Sequence, residues 1–217
     1  MKKAVLAVAL ASTFVAPAFA ESSINPLKDE KSGFYLGLGL GSADYNDAYD
    51  NLKDEYDGFM SGTTSYTTRD MAWKVFGGYR VNKYFALEAN YTSLGNPDAD
   101  FTNTSGTYRD EIENEIKGYG IKAVGLYPIN NNFEVLASVG TFKWKVEEDE
   151  ENNRFGPSSE TEKGTSLTYG LGANYYLTDN ISVGLNWERI NDVGDKDNLF
   201  FGENDIDTYT ISAQYNF

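Results

Sequence analysis

Eight antiparallel strands, joined as an up-and-down meander and closed into a barrel, are the fold class that this 217-residue sequence predicts. Three observations carry it. Alternation with a period of two residues runs through eight segments, each of about nine to fourteen residues. The connections between those segments are alternately short and long. The composition is rich in strand formers and in residues that allow close backbone packing: 15% aromatic, with 16 Tyr, 13 Phe and 21 Gly. A meander with an even strand number and all its tight turns at one end can close on itself and leave no free edge.

The segments are as follows, in chain order. Strand one covers about 33–42, with Phe34, Leu36, Leu38 and Leu40 on one face and Tyr35, Gly37, Gly39 and Gly41 on the other. Strand two, about 71–81, sets Met71, Trp73, Val75, Tyr79 and Val81 against Ala72, Lys74, Phe76, Gly78 and Arg80. Strand three, about 84–94, sets Phe85, Leu87, Ala89 and Tyr91 against Ala86, Glu88, Asn90 and Thr92. Strand four, about 117–127, sets Tyr119, Ile121, Ala123 and Tyr127 against Gly120, Lys122 and Val124. Strand five, about 133–146, is less regular. Phe133, Val135, Ala137 and Val139 share a face, but Trp144 and Val146 are out of phase with them, which a bulge between Gly140 and Phe142 would repair. Strands six, seven and eight cover about 166–176, 181–189 and 207–217. Their apolar faces carry Leu167, Tyr169 and Leu171, then Val183, Leu185 and Trp187, then Tyr209, Ile211, Ala213, Tyr215 and Phe217. The short connections are Asn82-Lys83, Pro128 to Asn132, and Thr178-Asp179-Asn180, all turn chemistry. The long ones are about 43–69, 95–116, 147–163 and 190–206.

The two faces decide the solvent. A water-soluble barrel would put the Leu, Val, Ile, Tyr and Trp face inward and leave Gly, Ser, Thr and Asn to hold it in solution. The reverse suits a membrane, where a narrow eight-stranded lumen takes the small and polar residues and lipid meets the apolar face. Aromatic residues gather near strand ends: Tyr79 and Tyr127 by the short turns, Trp73, Tyr91, Tyr169 and Trp187 by the long loops. That is the distribution of two interfacial girdles. Strands of this length also match the span of a tilted membrane strand, about 9–11 residues.

Residues 1–20 stand apart. Lys2 and Lys3 precede an apolar run from Ala4 to Val15, and Ala18-Phe19-Ala20 forms a small-x-small cleavage site, the three parts of a secretory signal peptide. Cleavage after Ala20 would leave a short periplasmic lead at 21–32 and a barrel domain at 33–217. From residue 21 on, the formal charge is −17, and the four long loops together carry −18. The acidity therefore belongs to one end of the molecule. Its bland reading is solvation of extracellular loops. Cation binding by Glu147-Glu148-Asp149-Glu150-Glu151 is the sharper one, but the spacing fits no EF-hand loop. The same charge argues against a nucleic-acid partner. The chain has no Cys and no His, which excludes disulfides, Cys or His metal sites, and any thiol or imidazole mechanism. No cofactor, metal or catalytic residue is assigned.

Three segments then carry a family resemblance. They are Gly78-Tyr79-Arg80-Val81-Asn82-Lys83-Tyr84 with Leu87-Glu88-Ala89-Asn90-Tyr91, Leu126-Tyr127-Pro128-Ile129 leading to Trp144, and the terminal Tyr209-Thr210-Ile211-Ser212-Ala213-Gln214-Tyr215-Asn216-Phe217. Together they resemble the OmpA-like and OmpX-like eight-stranded outer-membrane β-barrels of Gram-negative bacteria. The resemblance implies an outer-membrane location, with both termini periplasmic. It also implies lipid and the barrel-assembly machinery as partners, the latter reading Tyr209, Ile211, Ala213, Tyr215 and Phe217. No peptidoglycan-binding domain follows the last strand, so the expectation is a barrel alone, monomeric and not an enzyme. Two functions stay open: a structural or adhesin-like surface role through the acidic loops, with a host or surface ligand, or a small pore. In the lumen, the phase of the strands places Lys74, Arg80, Glu88, Lys122 and Glu188. Isolated buried charges are costly, so these five are expected to pair as one connected network, with Arg80 reaching diagonally to Glu88.

Overall fold

The computed structural model describes residues 32–45, 62–103, 109–152, 156–194 and 203–217. The signal sequence and nearly all of the 21–32 lead lie outside them. Ten strands are present among the described residues: β1 (Gly33–Tyr45), β2 (Gly62–Tyr66), β3 (Arg69–Asn82), β4 (Phe85–Ser93), β5 (Asp98–Asn103), β6 (Arg109–Pro128), β7 (Phe133–Asn152), β8 (Gly156–Tyr176), β9 (Ile181–Gly194) and β10 (Glu203–Asn216). Eight of them form a closed antiparallel ring: β1–β3–β4–β6–β7–β8–β9–β10 and back to β1. The remaining two continue β3 and β4 past short interruptions. β2 pairs with β5, and β5 with the start of β6, so they raise the wall on the long-loop side.

Local chemistry sets the tight turns. At the β3–β4 turn, the Asn82 Oδ1 accepts the Tyr84 N–H at 2.8 Å. The Asn130 Oδ1 accepts from the backbone N–H groups of Asn132 and Phe133, both at 2.9 Å. The Thr178 Oγ1 does the same for Asn180 and Ile181. These are side-chain imitations of a backbone turn, the reason Asn and Thr were readable as punctuation. The first turn is centred on Lys83 and Tyr84 rather than on Asn82-Lys83, and a register shift falls between Arg80 and Asn82.

Outside the lumen, alternation holds as read. Leu38, Leu40, Ile121, Leu171, Leu185 and Ile211 face outward and are 58–65% exposed. A continuous apolar band of this kind is untenable in water and is what a bilayer requires.

Two expectations are corrected. No bulge occurs at 140–142: β7 pairs without a shift against both β6 and β8 along its whole length. Phe142, Trp144 and Val146 are in phase and point into the lumen, where each is buried. Large apolar side chains on the inward phase break the alternation that a wholly polar lumen would give. Second, 147–152 and 156–163 are paired strand rather than loop. β7 and β8 continue as a ladder to the pair Asn152–Gly156, and β6, β7 and β8 reach 20, 20 and 21 residues. The Glu-rich run has low strand propensity, but tertiary pairing overrides a weak local preference.

Candidate functional site

The lumen is filled at three levels, which are easily followed along β7. Nearest the short turns stands Glu134, almost fully buried. Arg80, on β3, reaches it across the barrel with an Nη2–Oε2 distance of 2.7 Å. The Arg80 Nη1 also donates to the Tyr176 hydroxyl at 2.6 Å, and that hydroxyl donates to the Glu134 Oε1 at 2.9 Å. The Asn174 Nδ2 adds a further hydrogen bond to the same oxygen. A vestibule of about 750 Å³ opens at this end and is bounded inward by Arg80 and Tyr176.

The middle level surrounds Glu188 on β9. Lys122, on β6, donates to the Glu188 Oε2 at 2.8 Å. Lys74, on β3, lies 3.9 Å from the same oxygen and 5.4 Å from the Phe76 ring centroid. The Thr168 hydroxyl donates to the other carboxylate oxygen. Glu88 sits in register beside Lys122, at 3.4 Å, and accepts the Tyr35 hydroxyl. Space of about 40 Å³ remains around these groups, room for a few waters.

The upper level is apolar. Tyr45, Leu94, Ile116, Phe142, Trp144, Val146, Ile190 and Ile206 are all buried and form one cluster inside the barrel. Glycines make room for two of its rings. A Cβ on Gly164 would lie 2.2 Å from the Trp144 ring, and one on Gly118 would lie 2.7 Å from that of Phe142. The Trp144 indole N–H donates to the Ser166 hydroxyl at 2.8 Å, so its polar edge is satisfied. A second apolar group, Tyr35, Phe76, Ala86, Val124 and Leu126, lines the lumen below.

The five charged residues read from the sequence thus all face the lumen, but they do not form one network. Lys74, Glu88, Lys122 and Glu188 come together. Arg80 pairs with Glu134, not with Glu88. Glu134 was missed because it falls among Phe133, Val135 and Ala137 and drew no attention, although its even number gives it the inward phase. The apolar plug was missed for the reason given above. Trp73, Tyr79, Tyr91, Tyr127, Tyr169 and Trp187 all lie on the outward face. Trp73 packs against Tyr91 at 5.7 Å and Tyr169 against Trp187 at 5.9 Å, while Tyr79 meets Phe34 at 4.9 Å. Tyr209, Ile211, Ala213, Tyr215 and Phe217 point outward along β10 and beyond it. The Phe217 N–H donates to the Phe34 carbonyl at 2.9 Å, closing the seam between the first and last strands.

An apolar outer band, girdled by aromatics around a filled and partly charged lumen, defines a transmembrane β-barrel of the bacterial outer membrane. The chain belongs to the outer membrane protein beta-barrel domain family, whose model matches residues 6–217. It is similar to outer membrane protein A of Escherichia coli O157:H7, at 27% identity over 198 residues, covering 90% of this chain and 49% of that one. Outer membrane protein A of Salmonella typhi is also 27% identical, over 201 residues, with 92% and 51% covered. The chain spans about half the length of these curated relatives. Among solved structures it is similar to Neisserial surface protein A, at 12% identity and a TM-score of 0.49, covering 86% of this chain and 98% of that one. Ail of Yersinia pestis, solved with the heparin analogue sucrose octasulfate, gives 15% identity and a TM-score of 0.47, with 85% and 99% covered. The protein is an outer-membrane barrel.

Proposed function

We propose that this is a closed, non-enzymatic, monomeric barrel whose work is structural and at the cell surface, carried by the acidic extracellular end. The three-level filling of the lumen is the observation that supports it. A pore needs a continuous wet path. Here a cross-lumen ion pair, a charged cluster and an apolar plug each interrupt one. The absence of any His or Cys from the sequence supports the non-enzymatic reading. Export through cleavage after Ala20, the 21–32 lead, and a host or surface ligand at the loops belong to the same proposal. Its test is a planar-bilayer recording of the refolded protein beside a whole-cell binding assay. No steady conductance is expected. A stable open level would overturn the closed barrel. Cell binding that disappears when the 147–163 hairpin is shortened would assign the surface role to that hairpin.

Assembly is proposed to depend on the alternating terminus. Deletion of Phe217 removes both the last aromatic and the seam hydrogen bond, and the exported chain is expected to accumulate in the periplasm. Surface labelling of whole cells checks this. Labelling at the full-length level would show that the terminal residue is not read.

A further inference from the structure

The first and last strands of the ring meet along eleven rungs, from Tyr35–Asn216 to Tyr45–Ile206. Only one of those rungs carries charge, and it sets two carboxylates opposite each other: Asp44 on β1 and Asp207 on β10. Both take the outward phase of their strands. They stand one row above Ser42 and Tyr209 and two rows above the exposed pair Leu40 and Ile211, at the long-loop border of the lipid-facing band. Like charges directly opposite one another on a sheet are destabilising, and this pair lies on the seam that must close to make a ring.

The same row continues on both sides. Arg69 on β3 is in register with Asp44, and Arg189 on β9 with Asp207, so four adjacent strands present Arg69, Asp44, Asp207 and Arg189 in that order. The Arg69 Nη2 donates to the Asp44 Oδ2. Arg189 holds Asp207 with two bonds, Nε to Oδ1 at 2.8 Å and Nη2 to Oδ2 at 2.6 Å, the two-pronged geometry that makes such pairs strong. The Trp187 indole N–H adds a third bond to the Asp207 Oδ1 at 3.1 Å. Asp205, two residues along β10, stands 3.9 Å from the Arg189 Nη1. Both arginine pairs thus lie within one side of the seam, β1 with β3 or β9 with β10. Adjacent strands are about 4.8 Å apart, so each arginine is also about 10 Å from the carboxylate of the other side. That is close to the screening length in salt, and part of the repulsion between the carboxylates is offset across the seam.

We propose that Arg69 and Arg189 form a charge latch on the seam. Each neutralises the carboxylate of its own side, and only with both in place can Asp44 and Asp207 be set opposite each other and the outer rungs of β1 and β10 close. Loss of either arginine frays the seam at its long-loop end and leaves it closed below, where every rung is uncharged.

Hydrogen exchange of the full refolded chain in detergent micelles tests this, read by mass spectrometry on peptides covering 42–45 and 206–209. R189Q should exchange about tenfold faster there, the scale of a lost charge-assisted hydrogen bond. R69Q, whose side chain is 63% exposed, should exchange about threefold faster, as befits a surface pair. Exchange at 35–38 and 213–216 should stay as in wild type in both. The decisive variant is D44N, across the seam from Arg189. Added to R189Q, it removes the opposing charge without restoring any bond to Asp207, and should slow exchange at 206–209 about threefold again. On its own it should slow exchange there relative to wild type. K163Q removes a positive charge from β8, outside the row, and should leave all four segments unchanged. An R189Q defect that D44N does not relieve would show that Arg189 acts only through its bonds to Asp207, and would overturn the latch. An effect of K163Q equal to that of R69Q would overturn it too. If R189Q does not fold, D44N alone still decides: exchange at 206–209 as fast as in wild type, or faster, refutes the proposal.

Discussion

Replacing Glu134 with Gln is expected to destabilise the folded barrel by roughly 3–5 kcal/mol, the cost of leaving one partner of a buried pair uncompensated. Glu134 is only 1% exposed, and three donors converge on it: Arg80, Tyr176 and Asn174. The neutral amide offers one acceptor where the carboxylate offered two, and it presents an NH₂ to a guanidinium. Arg80 cannot escape by losing its proton. Urea unfolding in detergent micelles, followed by the gel shift between folded and unfolded forms, measures the change. The companion variant separates charge from shape: R80M/E134L fills the same space with apolar atoms and should recover most of the loss. A single variant as stable as wild type would mean that water reaches the pair from the vestibule. The same reasoning lowers the importance of Glu88. Lys122 holds Glu188 at 2.8 Å and Glu88 at 3.4 Å, so a Glu88→Gln change leaves Lys122 paired. Glu188, which faces two lysines, is the anion on which the middle level depends.

Truncating Trp144 to Ala is the other large effect, expected at about 3–5 kcal/mol for a buried aromatic. The upper end of that range is favoured by what surrounds the ring. Collapse of neighbours normally softens such a loss, but the wall beside Trp144 is Gly164, which has no side chain to move in. The hydroxyl of Ser166 also loses the indole N–H, although it keeps its own bond to the Asp192 carbonyl. Combining W144A with F142A should add a second cavity without opening a conducting path, since the Arg80–Glu134 pair and the cluster around Glu188 still interrupt the lumen below. Thermal unfolding by circular dichroism and bilayer recording check the two halves. A W144A loss below about 1 kcal/mol would show that the plug is loosely packed.

Much of the candidate site is legible in the sequence alone. Lys74, Glu88, Lys122 and Glu188 could be placed in the lumen because each falls on the phase opposite the outward apolar residues of its strand. Arg80 could be placed but not paired. Its partner lies 54 residues away on β7, a strand with which β3 does not pair. Trp144 and Phe142 pulled the other way. Large apolar residues on the inward phase imitate a bulge, because alternation distinguishes two faces without stating what each face packs against.

The sequence by itself determined the number of barrel strands, the face each residue takes, the location of the tight turns and the choice of lipid as the outer solvent. All of these are consequences of short-range periodicity and of turn chemistry, which act over a few residues. Only the tertiary structure decided which charges meet across the lumen, that a buried apolar cluster occupies its long-loop end, and that acidic segments continue as paired strands. Those depend on the relative heights of strands on opposite sides of the ring. Such heights are set by the stagger that accumulates from one strand pair to the next until the barrel closes, and no local pattern in the chain records that sum.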